Sequence, residues 1–345
     1  MELSSLHLLL TYQCTLECDH CFVWGSPWQT GTMTLAEIQF LLEQAQSLGT
    51  VESIYFEGGE AFLFYPLLLA GVREAAQEGF QVGVVTNGYW ATSLADALVW
   101  LGPFAGLVSD LSISSDAYHW SDQLGQRAGT AHAAAEQLGI PVGLISIAQP
   151  PGLVPGERHA GGTTTPVQPP GLVPGERHAG GTTTPVQPPG TTPAQPGDVT
   201  IEAPVGQLPI GQSAVMYRGR AAEKLAHNAR QHPWETFTEC PHEDLREPGR
   251  VHIDPFGNLH MCQGLTIGSV FETPLKVLCE NYEPESHPII APLLGGGPAE
   301  LVRRFGLSHR PAYADACELC DSARRALRGQ FPELLGPDQM YGVSG

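Results

Sequence analysis

Positive charge is scarce in this 345-residue chain: 17 lysines and arginines face 36 aspartates and glutamates, for a formal net charge of −19. Surfaces that hold nucleic acid or anionic lipid need clustered cations, so both partner classes are excluded, while a peptide or a small molecule is not. Long apolar runs are also missing. The leucines of residues 6–10 are too few for a signal peptide or a membrane span, and no basic segment precedes them. A cytoplasmic protein is therefore expected. In a reducing compartment its eight cysteines read as metal ligands rather than disulfides. The length suggests about two domains.

The cysteines fall into two groups, at 14–21 and 240–320. Cys14, Cys18 and Cys21 lie in C-T-L-E-C-D-H-C, directly after the apolar run. Three thiolates on one short loop can hold three irons of a [4Fe–4S] cube and leave the fourth open, whereas a closed cluster uses four cysteines. An open position lets a metal bind substrate or cofactor directly. From the three thiols alone, a zinc knuckle is the plain alternative. Downstream, residues 51–60 read V-E-S-I-Y-F-E-G-G-E and residues 82–88 read V-G-V-V-T-N-G.

With these segments in view the chain resembles the radical S-adenosylmethionine (radical SAM) superfamily, marked by CxxxCx(aromatic)C followed by GGE at the end of the second strand. The resemblance implies a [4Fe–4S] cluster whose open iron is chelated by S-adenosylmethionine. It implies that His20 lies against the adenine, that Gly58, Gly59 and Glu60 meet the methionyl amino group, and that Ser114 and Asp116 of L-S-I-S-S-D contact the cofactor's ribose or carboxylate. Two positions depart from the usual pattern: the aromatic residue is the titratable His20, and Ala61 stands where proline is common. Arg127 offers a charge for the cofactor carboxylate.

Between residue 6 and about 148, short apolar runs alternate with helical patterns. Strands are expected at 6–10, 53–56, 80–86, 107–113 and 141–148, and helices at 34–48, 65–78, 93–101 and 128–138. Thr34 and Glu37 form a capping box, and Gly49, Gly79, Gly102 and Gly139 stand where helices should stop. Such alternation predicts an α/β fold with a parallel sheet and ligands at its carboxyl ends, where Cys14, Gly58, Asn87 and Ser114 all fall. With the resemblance, the expected fold is a partial (β/α)6 TIM-like barrel. The core would occupy residues 1–148 and 198–235, ending in a helix through Ala229, with a cluster-binding α+β extension over 236–345.

Residues 149–197 break the pattern. The 19-residue unit P-P-G-L-V-P-G-E-R-H-A-G-G-T-T-T-P-V-Q runs from Pro150 to Gln168, repeats identically to Gln187 and begins again at Pro188. So much Pro, Gly and Thr with few large apolar side chains cannot offset its ordering entropy, and a disordered surface insert is expected. Excising 150–187 should change stability by no more than about 1 kcal/mol, because loop-closure entropy varies slowly with length. Thermal unfolding of the shortened protein checks this. A loss of soluble protein would mean that the insert packs on the core.

The C-terminal part carries Cys240, then V-H-I-D-P-F-G-N-L-H-M-C ending at Cys262, and Cys317-Glu318-Leu319-Cys320. Asp254 to Asn258 reads as a turn between two strands. This part resembles the Twitch form of the SPASM extension of radical SAM enzymes, which implies an auxiliary [4Fe–4S] cluster on Cys240, Cys262, Cys317 and Cys320. Zinc competes for four thiolates. Cys279, in an apolar helical stretch, reads as a core residue. The resemblance implies an enzyme that cleaves S-adenosylmethionine reductively, with an electron donor such as flavodoxin or ferredoxin, and abstracts hydrogen from a peptide or small-molecule substrate. Net oxidation and peptide modification are both open, and a non-catalytic iron–sulfur or zinc protein on the same scaffold is the alternative. No catalytic acid, base or hydrogen donor follows from spacing; Tyr118, His119 and Cys279 offer themselves, each equally an ordinary pocket or core residue.

Overall fold

The computed structural model describes residues 1–116, 118–119, 122–148 and 212–343, with the backbone alone for 122–124 and 212; the repeat insert lies outside the described residues. The first five strands, β1 (Ser5–Thr11), β2 (Ser53–Gly58), β3 (Gln81–Thr86), β4 (Asp110–Ser114) and β5 (Val142–Ile147), run parallel in chain order. Between them come α1 (Leu35–Leu48), α2 (Tyr65–Gln77), α3 (Leu94–Leu101) and α4 (Asp122–Gln137). A short β6 (Gln212–Ser213) extends the sheet beside β5. A two-residue strand, β7 (His232–Pro233), pairs elsewhere with a later one.

Three more strands, β8 (Arg250–Ile253), β9 (Asn258–Cys262) and β10 (Leu265–Ser269), join at the other side. There β8 lies parallel to β1, and β9 and β10 follow as an antiparallel meander. The full order is β10-β9-β8-β1-β2-β3-β4-β5-β6, an open sheet with separate edges among the described residues. The sheet thus runs through the boundary expected at 235/236, because the backbone of β8 is hydrogen-bonded to the first strand of the core. The remaining elements are α5 (Arg220–Lys224), α6 (Leu275–Glu280), α7 (Ile290–Phe305), kinked at Gly296–Gly297, β11 (Ala312–Tyr313) and α8 (Ala316–Leu327).

Alternation along the strands separates two faces. Leu6, Leu8, Ile54, Phe56, Val82, Val84, Leu111 and Ile113 are buried in the core that α1 and α2 share. Gly71 on α2 sits so close that a Cβ there would come within 2.9 Å of the Phe56 ring. The opposite face carries Ser5, His7, Ser53, Tyr55, Glu57, Asp110, Ser112 and Ser114, half-buried and polar.

The local signals behave as their chemistry dictates. Thr34 and Glu37 make both hydrogen bonds of the capping box, and Gly49 closes α1 in the left-handed conformation. Gly102 does not stop α3 that way: its φ of −48° carries the chain into a further tight turn, which Pro103 favours. The fourth helix begins at Asp122 rather than 128, six residues before its apolar pattern. Asp254 accepts from the backbone of Phe256 and Asn258 and organises the β8–β9 turn. No helix among the described residues is long and apolar enough to cross a membrane.

Candidate functional site

Cys14 follows β1, Gly58-Gly59-Glu60 ends β2, Asn87 follows β3 and Ser114 ends β4, so all four segments meet at the carboxyl edge of the parallel sheet. The two glycines are required by the chain's own crossing there. A Cβ on Gly58 would stand 2.3 Å from the Thr11 carbonyl oxygen, and one on Gly59 2.2 Å from that of Gln13. The Gly59 N–H donates to Thr11 (2.7 Å) and the Glu60 N–H to Gln13 (2.9 Å), fastening the end of β2 to the cysteine loop. Gly25, on the far side of the loop, is close-packed but less tight: its Cβ would lie 3.1 Å from Gly59 Cα and 3.3 Å from Cys14 Cβ.

Glu60 is 1% exposed, and its carboxylate accepts from the backbone N–H of Phe62 (3.0 Å) and Asn87 (2.7 Å) and from Thr86 Oγ1 (2.8 Å). Burial pushes its pKa up to about 7 against these donors. The side chain thus ties β2 to β3, and the Asn87 amide it helps position donates to Thr15 Oγ1 and lies 3.7 Å from Cys14 Sγ.

Cys14 and Cys18 are buried and Cys21 half-buried. Burial pushes the Cys14 and Cys18 thiols up, so a metal rather than solvent would have to stabilise their thiolates. The loop is held from outside by Arg218-Gly219-Arg220, the segment that leads into α5. Buried Arg220 donates to the carbonyls of Cys18 (2.8 Å) and Gly25 (2.9 Å). Gly219, at φ 60°, lies where a Cβ would come 2.7 Å from the carbonyls of Cys21 and Phe22. The signal available was a glycine flanked by two arginines in a chain short of cations.

Asp116 accepts from the N–H groups of Tyr118, His119 and Ile147 and pairs with His119 (2.8 Å) and His20 (3.4 Å). Burial raises its pKa, but the two imidazoles outweigh burial and hold it below the carboxylate range. His20 stacks on Tyr118, ring centroids 4.7 Å apart, and meets the His119 edge at 4.9 Å. His20 Nδ1 and Tyr118 Oη are buried without a hydrogen-bond partner. Arg127 donates to the Tyr89 carbonyl (2.7 Å). Cys279 is buried on α6, and its carbonyl accepts from the Met1 ammonium (2.9 Å). The three thiols and the unpartnered His20 nitrogen fit a cluster and an adenosyl cofactor.

Cys240, Cys262, Cys317 and Cys320 line a cavity, the second cysteine site, together with Arg218 and Arg324. Cys262 ends β9, and Cys317 and Cys320 open α8, which Asp315 caps. Arg218 pairs with Glu243 (3.0 Å) and donates toward Cys262 Sγ (3.4 Å), and the Nε atoms of both arginines are buried without a partner. Burial raises the thiols of Cys240, Cys317 and Cys320, the last to about 12. Two buried guanidiniums facing four thiols suit an anionic tetrathiolate group.

Residues 8–124 match the Radical SAM superfamily, a span that holds the first three cysteines and the glycine pair and stops short of the second cavity. YydG of Bacillus subtilis (strain 168), whose name refers to peptide biosynthesis, is 32% identical over 111 residues, covering 32% of this chain and 35% of that protein. The tungsten-containing aldehyde ferredoxin oxidoreductase cofactor-modifying protein of Pyrococcus furiosus is 31% identical over 94 residues, 27% of this chain and 26% of that one. These matches thus span about a third or less of their relatives' length. Among solved structures, BtrN in complex with AdoMet and 2-DOIA superposes with a TM-score of 0.45 at 14% identity, over 81% of this chain and 83% of that one.

Proposed function

We propose that this chain, which carries a radical SAM domain over residues 8–124, is an enzyme that cleaves S-adenosylmethionine reductively and takes a hydrogen atom from a peptide or small-molecule substrate. The observation that carries the reading is the meeting of the Cys14-Cys18-Cys21 loop with Gly58-Gly59, Asn87 and Ser114 at one edge of a parallel sheet, where such sheets bind ligands. When bound, the [4Fe–4S] cluster and S-adenosylmethionine supply the electron and the carbon radical, chemistry that no side chain offers. The chain's part is geometry. Three thiolates hold the cluster, Arg220 and Gly219 fix the loop that carries them, and Glu60 braces the strand ends beneath it. His20 and Ser114 are assigned to the cofactor directly, while Asp116 orients the His20 ring.

The four C-terminal cysteines are assigned to an auxiliary [4Fe–4S] cluster. The two buried guanidiniums beside these thiols, Arg218 and Arg324, support an anionic cluster there, with zinc the competing occupant of four thiolates. A redox centre in this cavity suits net oxidation of substrate, with reducing equivalents exchanged with a flavodoxin- or ferredoxin-type protein. The name of YydG supports a peptide as substrate.

Anaerobically reconstituted protein is expected to form 5′-deoxyadenosine under strong reductant and to hold about eight irons. Cys317→Ala should lower the count to about four and keep cofactor cleavage, whereas Cys279→Ala should leave both unchanged. Iron analysis beside product chromatography checks this; four irons with one zinc in the unaltered protein would replace the auxiliary cluster with a zinc site.

A further inference from the structure

Three groups of metal-ligating side chains converge among the described residues: His20–Asp116–His119, His242–Asp315–Cys317 and His7–Glu57–His252. The first belongs to the cysteine loop, and its carboxylate is taken up by three backbone N–H groups. In the second, Asp315 caps α8 and accepts from the Tyr217 N–H beside the second cavity. The third stands on the polar face of the sheet, on three adjacent strands, and neither cysteine site uses it.

We propose that His7, Glu57 and His252 form a binding site for one divalent metal ion of the zinc class. His7 on β1 is in register with His252 on β8, and Glu57 on β2 is paired with Leu9, two residues along β1 and so on the same face. His7 Nδ1 lies 3.2 Å and His252 Nε2 2.9 Å from the same carboxylate oxygen, Glu57 Oε1. Two imidazoles sharing a carboxylate only by hydrogen bonds have two oxygens available. Here both nitrogens converge on one. In a tetrahedral site with bonds of about 2.0–2.1 Å, neighbouring ligand atoms stand roughly 3.3 Å apart, so the nitrogen–oxygen separations are already on the required scale.

The surroundings suit a metal as well. The three side chains are 13–14% exposed, sheltered yet reachable. The His7 ring is stacked on Tyr55, centroids 4.6 Å apart and planes at 10°, and the Tyr55 hydroxyl is itself fixed on Asp110 at 3.0 Å. That stacking sets the orientation of a ligand ring, as outer-shell partners do at metal sites. Two histidines and one glutamate are the ligand set of catalytic zinc, which keeps a position open. Phe22, next to Cys21, meets the His252 ring at 6.4 Å.

The site is independent of the radical reading and is tested without turnover. Holoprotein with its iron sites filled is dialysed anaerobically against Zn²⁺. One zinc per chain is expected beyond the iron, and zinc-edge X-ray absorption should give a nitrogen and oxygen shell at about 2.0–2.1 Å with no sulfur at about 2.3 Å. His7→Ala, His252→Ala and Glu57→Gln should each weaken zinc binding about tenfold or more while iron content stays constant. No zinc uptake, a sulfur shell, or uptake indifferent to these substitutions would each overturn the proposal. Because the absorption measurement uses the unaltered protein, it decides the matter even if a variant folds poorly.

Discussion

Protein carrying Cys14→Ala, Cys18→Ala and Cys21→Ala together is expected to form no 5′-deoxyadenosine, a loss of the whole activity rather than a fraction of it. The three thiols are the only sulfur ligands on the loop after β1, and nothing else on the loop replaces a thiolate for iron. The fold should survive. The loop stays fastened by Arg220 to the carbonyls of Cys18 and Gly25 and by the Gly59 and Glu60 N–H groups to Thr11 and Gln13, all of them backbone acceptors that alanine retains. The variant should therefore keep the iron held by the C-terminal cysteines, about half the total, which separates loss of one site from loss of structure. Undiminished 5′-deoxyadenosine in this variant would remove the assignment of the loop.

Gly59→Ala should be nearly as damaging, for a purely steric reason. The added methyl would stand 2.2 Å from the Gln13 oxygen and 2.6 Å from its carbonyl carbon, and the obstacle is backbone, which cannot rotate away as a side chain can. Relief requires parting the cysteine loop from the end of β2, breaking the hydrogen bonds of Gly59 to Thr11 and Glu60 to Gln13. A cost of about 3 kcal/mol or more is expected, with iron lost from the first site before the second. Thermal unfolding and iron content measure both. Gly49→Ala is the control: a Cβ there meets nothing within 4 Å, and its φ of 79° charges only the backbone penalty of a left-handed cap. If Gly59→Ala retains full stability and iron, the glycine pair is not needed for this crossing.

The glycine pair was legible as a place of close approach, and the structure brings the chain's own Thr11 and Gln13 there. Glu60 was legible as a cofactor contact from its motif, and its carboxylate turns out to be engaged by Phe62, Thr86 and Asn87. The role of Arg220 did not follow from the sequence, because its partners are carbonyls some 200 residues away and no local period marks a side chain that donates to backbone. The His7–Glu57–His252 group was invisible for a related reason: its members lie on strands far apart in sequence that become neighbours only when the sheet forms in the order β8-β1-β2.

By itself the sequence determined what depends on short spacing. Capping chemistry, strand and helix periods, the thiol triplet, the β8–β9 turn and the late cysteine pair are each complete within a few residues, so local sterics and hydrogen bonding dictate them. Tertiary structure alone decided which of these meet. Parallel pairing, with its long crossovers, put the ends of β1 to β4 on one edge, and the pairing of β8 with β1 made the C-terminal hairpin part of the same sheet. Burial then chose the role of each polar side chain, because a charged or hydrogen-bonding group removed from water must find partners wherever the fold has placed them.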